Sequence, residues 1–334
     1  MGGLEDDSVS GGTPDGDESG AGVEGRRGVV GSQGAEAAGS TRAASLEELT
    51  TQVIRHAQLM LEWGVTTCEV KSGYGLSVDA EVKMLRAIQN AAKSQAVSLI
   101  STCLAAHTCP PEFSNRLDYL NHLVEELFPI LIQEELTKRI DIFVEEGAFT
   151  LEEARDYLMK AKERGFDLVI HGDQFSVGGS ELASELQTLS IDHCEQTEFE
   201  QAQLMKKRQV TPIVLPGASI GLGMKFAPAR MLLDEGLPLV IASDWNPGSA
   251  PMGNLLIQAA ILGAFEKLTI AETFAAITIR AASALKLSDR GSLRSGQRAD
   301  FAIYPTSDYR EILYHQGTLK PSFVSIQGEE VYVA

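Results

Sequence analysis

Four polar residues stand directly behind short apolar runs, and their types are those that hold metal ions and move protons. His171 closes the run at 166–170 within IHGDQF, His193 closes 190–192, His107 follows 97–104, and Asp244 follows 237–243 within ASDWNPGS. Imidazole nitrogen and carboxylate oxygen together suit zinc or ferrous iron, and one such ion with an open coordination position brings the pKa of a water to about 7. Metal-assisted hydrolysis is the chemistry this set implies. Each residue also has a plainer reading. A histidine at a strand end is often only a hydrogen-bonded rim residue, and Asp244 reads equally well as the N-cap of a helix near 252. It reads too as a turn residue with Asn246, Pro247 and Gly248, a composition that makes turns without any function. His56, His122 and His315 lie in helical stretches or the tail and are assigned packing or solvated roles.

The elements that must position these residues alternate along the chain. Apolar runs near 65–70, 97–104, 140–144, 166–171, 190–193, 210–215 and 237–243 read as strands, with amphipathic helical stretches between most of them. Ser45 with Glu48, Thr150 with Glu153 and Thr269 with Glu272 have the spacing of capping boxes, the first opening a helix to about Trp63 that Gly64 ends. Strict βα alternation argues a parallel α/β sheet. Seven strands are one short of a closed (β/α)8 barrel, in which functional groups gather at the C-terminal strand ends. The fold expected is a TIM barrel lacking its first strand, over residues 40–290, which leaves the strands at 65–70 and 237–243 as unpaired edges. Beyond it, 291–334 reads as a few antiparallel strands, the remnant of a β-sandwich.

Residues 1–39 hold twelve glycines and eight acidic residues with almost no clustered apolar side chains, and are read as disordered. The whole chain of 334 residues is 44% hydrophobic, enough for a substantial core. Its formal charge of -18 repels phosphate backbones and anionic lipid, which argues against nucleic-acid and membrane partners. With neither a signal-peptide pattern nor a spanning apolar run, a cytoplasmic protein with a small-molecule substrate is expected. Cys68, Cys103, Cys109 and Cys194 have no close-pair spacing and read as buried thiols. The loop KSGYGLS ahead of a helix that Ser77 can cap lacks the ending of a phosphate loop, and SVGGS at 176–180 reads as a turn.

Taken together, TRAASLEEL at 41–49, EVKSGYGL at 69–76, AAH at 105–107, EEGAFT at 145–150, HGDQF at 171–175, IDH at 191–193 and SDWNPGS at 243–249 resemble the imidazolonepropionase family of the amidohydrolases. GSLRSGQRADFAIY at 291–304 is similar to the segment by which many amidohydrolases return to their β-sandwich. The resemblance implies ring opening of 4-imidazolone-5-propanoate by water to N-formimino-L-glutamate, in histidine degradation. It further implies one Zn or Fe ion held by an HxH pair, by His171 and by Asp244. His193 would stabilise the oxyanion or relay a proton, and Asp244 would take a proton from the attacking water and pass it to the leaving ring nitrogen. Tyr74, His107, Gln174, Asn246, Gly248 and Ser249 would contact substrate. Family members are commonly dimers, so a homodimer is implied as well.

Two departures bear on that expectation. No HxH occurs in the sequence, so half of the family's metal ligands are missing and this chain is expected to be impaired. A truncated or frame-shifted gene accounts for that most simply. Gln174 stands where the family commonly has glutamate, and an amide binds substrate but does not act as a base. The competing readings are another metal-dependent cyclic amidohydrolase or deaminase, and a non-catalytic binding protein on the same fold.

Overall fold

Ser45, Thr150 and Thr269 each stand three residues ahead of a glutamate, and in a computed structural model all three pairs form complete capping boxes. The hydroxyl accepts the glutamate's N–H and the glutamate accepts the capping residue's N–H, so two otherwise orphaned donors are satisfied in each helix. Helices Leu46–Glu62, Leu151–Glu163 and Ile270–Ile277 start where the spacing predicts. The structure describes residues 38–334, so most of the segment read as disordered lies outside the described residues.

All seven predicted barrel strands are present: β1 Thr67–Lys71, β2 Ser98–Ala106, β3 Arg139–Val144, β4 Asp167–Gly172, β5 Ser190–His193, β6 Thr211–Val214 and β7 Val240–Ile241. They form one sheet in sequence order, each pairing parallel to the next. At least one helix lies in every connection from β1 to β7. The sheet is curled. In a flat sheet β1 and β5 would lie ~19 Å apart at ~4.8 Å per strand. Lys71 Nζ on β1 is nevertheless 3.0 Å from Asp192 Oδ2 on β5, a reach possible only if the strands wrap around the pair. Among the described residues β1 and β7 are the sheet's edges.

The last barrel strand is shorter than its apolar run of 237–243 suggests. Pro238 has no N–H to give to a ladder, and the Leu239 N–H turns back to the Leu237 carbonyl at 2.9 Å. Pairing with β6 is confined to Val240 and Ile241. The helix near 252 begins at Leu255, and its cap is Asn254, whose side chain accepts from Leu256 and Ile257. Asp244 is therefore not a helix cap.

Tyr119, Phe128, Phe149 and Tyr157 are fully buried in the main core, each stabilising by about 1.5–3 kcal/mol through apolar burial. Past the barrel, β8 Phe301–Ile303, β9 Phe323–Ile326 and β10 Glu329–Val333 form the expected antiparallel sheet, in the order β10-β9-β8. Val324 and Ile326 of β9 pack on Ala57 and Leu61 of the first long helix. Gly64 ends that helix at φ +86, and a Cβ there would sit 2.8 Å from the Tyr304 hydroxyl. The four cysteines are free, Cys103 and Cys194 buried and Cys68 and Cys109 half-buried. No helix among the described residues is long and apolar enough to cross a membrane.

Candidate active site

The rim of the sheet is built from strained strand ends. Asp173, His193, Cys194 and Asp244 all have positive φ, of 55, 89, 70 and 48 degrees. Non-glycine residues avoid that region, and such strain persists where surrounding contacts over-determine the backbone. Here the contacts are visible. The Cys194 N–H donates to the Gly172 carbonyl at 3.3 Å and the Gln196 N–H to Asp173 O at 2.7 Å. The Asp173 carboxylate accepts from Gly178 and Ser180 N–H and from the Thr197 hydroxyl.

His171 and His193, one at the end of β4 and one at the end of β5, are both buried, with ring centroids 5.4 Å apart. Their strands pair so that Gly172 lies opposite His193. From His193 a run of rings continues through Phe143, at 6.4 Å, to His107, at 5.8 Å, and Tyr74, at 5.4 Å. His107 Nδ1 lies 3.1 Å from the Gly73 carbonyl. Burial first, then the neighbouring His171, pushes the His107 pKa down to about 4, so this ring is neutral at physiological pH. Burial also raises the Tyr74 hydroxyl, with Asp244 adding to the effect. The Asp244 carboxyl is likewise raised by burial, against the opposing pull of His193 and then His171.

Two readings of the loop after β7 stood open, and the structure displays the turn. Asn246 Oδ1 accepts the N–H of Gly248 and of Ser249, both at 2.8 Å, while its Nδ2 donates to the Asp244 carbonyl and to Ser249 Oγ. Ser249 Oγ lies 3.5 Å from Asp244 Oδ2. Gln174 is buried in the loop after β4, its N–H held by Glu145 at 2.8 Å. Of the three remaining histidines, His56 packs on Trp245, next to Asp244 in the loop after β7, while His122 packs on Phe113 and His315 on Tyr314.

Beside these residues lies a charged cluster that the sequence reading did not single out. Lys71 Nζ is 2.9 Å from Asp141 Oδ2, 3.0 Å from Asp192 Oδ2 and 3.3 Å from Glu69 Oε2, and Arg139 closes on Glu69 at 3.8 Å. Asp141 Oδ2 also lies 2.9 Å from His171 Nδ1, a short contact that is bent rather than in line. Burial alone would raise the Asp141 carboxyl, but His171 and then Lys71 hold it well below the usual range; burial keeps Asp192 raised. The signal for these residues was present: Lys71 stands at the end of β1, and Asp141 and Asp192 are charges set among apolar neighbours in β3 and β5, where an unpaired charge is costly. Other carboxylates hold the loops. Glu81 accepts from Gly73, Gly75 and Leu76, and Glu145 from Gln174, Phe175, Ser176 and the Ser176 hydroxyl.

The rim has the chemistry of a divalent-metal site. Ligand atoms of His171, Asp141 and Asp192 lie within 4.8 Å of one another, all buried, and imidazole and carboxylate are donors for a borderline ion, but the Lys71 ammonium already stands 2.9 and 3.0 Å from the two carboxylates. Asp244 is not in that group.

A parallel α/β barrel with such a rim is the frame of a metal-dependent hydrolase, and the chain belongs to the amidohydrolase family, which it matches over residues 11–325. Within that family its relatives include imidazolonepropionases. It is 37% identical to that of Alkaliphilus oremlandii over 282 residues, 83% of this chain and 67% of the relative. With that of Bacillus velezensis it shares 40% over 281 residues, 83% and 66% of the two chains. With that of Deinococcus radiodurans it shares 38% over 293 residues, 87% and 72%. The chain thus spans about two thirds of the length of these proteins. Solved structures with the same fold include a zinc complex of atrazine chlorohydrolase from Arthrobacter aurescens, at TM-score 0.68 and 15% identity, covering 92% of this chain and 77% of that one. Guanine deaminase from C. acetobutylicum also has TM-score 0.68, at 17% identity over 89% and 78% of the two chains.

Proposed function

We propose that this chain carries the site of an imidazolonepropionase, which opens the ring of 4-imidazolone-5-propanoate with water to give N-formimino-L-glutamate in histidine degradation. The observation that carries the reading is the meeting of His171 and His193 at neighbouring strand ends, with Asp244 close enough for its carboxyl to respond to both rings. It is supported by 34–40% identity to imidazolonepropionases along most of the chain.

His171 and Asp244 are the residues we assign to one ion, zinc or iron. Such an ion supplies Lewis acidity, which makes water acidic near neutral pH and polarises the amide to be cleaved. His193 carries positive charge at neutral pH, for although burial lowers its pKa, Glu195, Asp244 and Asp192 together raise it to about 9. That charge suits an oxyanion that develops as water adds to the ring carbonyl. Asp244, with its carboxyl raised, is the group we assign to take the proton from the attacking water and deliver it to the leaving ring nitrogen. Neutral His107 and Tyr74 would line the substrate, Gln174 would bind it through its amide, and the turn of Asn246, Gly248 and Ser249 would receive the propanoate or formimino end. A cytoplasmic homodimer is the setting we assign.

Because no HxH occurs in the sequence, turnover is expected to be slow and to need excess metal. The test is product formation by the purified chain in excess zinc or ferrous iron, beside His171→Gln. The proposal expects residual ring opening that H171Q abolishes. Equal rates in the two proteins, or faster turnover of a different cyclic amide or amino-heterocycle, would overturn it.

A further inference from the structure

Asp141 has both carboxylate oxygens committed. Oδ1 accepts the N–H of Ile142 at 2.8 Å, and Oδ2 lies 2.9 Å from both Lys71 Nζ and His171 Nδ1. Asp192 is engaged too, its Oδ2 3.0 Å from Lys71 and its Oδ1 3.5 Å from the Ser190 hydroxyl. These commitments bear on which atoms would face an ion. Distance alone makes Asp141, His171 and Asp192 a ligand trio. An ion bound by Asp141 and His171 Nδ1 would need both atoms at ~2.0–2.2 Å. It would then stand beside the Lys71 ammonium, which is already shared among three carboxylates. Two cations in that space repel, and the lysine is covalently placed there.

We propose that Asp141, itself held by Lys71, is a positioning residue for His171: it keeps the imidazole N–H on Nδ1, facing Asp141, and so leaves the Nε2 lone pair as the metal-binding atom. An imidazole has one N–H in its neutral form, and the partner of one nitrogen decides what the other presents. Lys71 occupies the cation position among Asp141, Asp192 and Glu69, which keeps the two aspartates as outer groups rather than ligands. The inference rests on the assignment of His171 to the ion.

Two measurements on the full chain test it. In the first, ¹⁵N NMR of the metal-free, histidine-labelled protein, with His171 assigned by H171Q, reads the tautomer above the ring's titration. The Nδ1–H form is expected, and the Nε2–H form would overturn the proposal whether or not any variant folds. In the second, cobalt(II) is titrated into the wild type and Asp141→Asn with a competing chelator. The expected result is 10- to 100-fold weaker binding with an unchanged ligand-field spectrum, as for loss of an outer partner. A shifted spectrum would make Asp141 a ligand, and unchanged affinity would deny it any role; either overturns the assignment. If the wild type binds no cobalt at all, the metal reading fails, while the tautomer still decides whether Asp141 orients the ring.

Discussion

Glu195 Oε2 stands 3.6 Å from His193 Nδ1, while Glu195 Oε1 accepts the Ser219 hydroxyl at 2.9 Å. Burial of the imidazole is thereby outweighed, and the His193 pKa is raised to about 9, above the about 6.5 of an unfolded chain. Stability from this pair is therefore complete below about pH 6.5 and is lost as pH rises through the folded value. Glu195→Gln removes the charge and keeps the shape. We expect the His193 titration to fall and the alkaline loss of stability to flatten, as read by NMR and by urea unfolding against pH. An unchanged His193 midpoint would refute the pairing.

Lys71 neutralises carboxylates from three strands, so its removal leaves buried charge without a partner. Lys71→Met is expected to destabilise the fold by about 3–5 kcal/mol at neutral pH. The deficit should shrink in acid, because protonation of Asp192, whose carboxyl is raised by burial, removes one of the charges that need the ammonium. Urea unfolding at neutral and mildly acid pH checks the sign, and a pH-independent deficit would point to packing rather than charge.

The Glu145 carboxylate gathers three consecutive N–H groups and a hydroxyl from the loop that carries Gln174. An amide in its place keeps an oxygen for the three N–H groups but without the charge they share, and turns a donor toward the Ser176 hydroxyl. Glu145→Gln should cost about 1–3 kcal/mol and raise KM more than it lowers kcat, since it loosens a binding loop. A kcat loss with KM unchanged would mean that the loop serves the chemical step.

Gly221 packs under the loop after β7, where a Cβ would come within 1.8 Å of the Ser249 carbonyl oxygen. Backbone has no easy way to yield, so Gly221→Ala must shift Asp244 to Ser249 or the helix Pro216–Leu222. Overpacking of this kind costs about 1–3 kcal/mol, and we expect activity to fall further than stability does. Thermal melts beside turnover would show it; full activity in a destabilised protein would place the strain elsewhere.

Much of this architecture was legible because local signals and tertiary structure agree. Ser45, Thr150 and Thr269 announce helices whose caps are formed as the spacing requires. His171 and His193 follow apolar runs of strand length and do reach the same rim. What escaped was set by proximity between strands distant in sequence. Asp141 and Lys71 meet across 70 residues, and nothing near either one announces the other. Glu81 lies on a helix and acts backward on the loop ahead of it, so its role is invisible until the loop closes over it. The β7 boundary was missed for a simpler reason: hydrophobicity extends over Pro238, but hydrogen bonding does not.

Bound metal tests the central claim most directly. At matched excess of free zinc or ferrous iron, the wild-type chain should bind up to about one ion per chain, and H171Q and Asp244→Asn should bind far less. Equal metal in all three proteins, with the fold intact, would contradict the assignment of His171 and Asp244 to a catalytic ion.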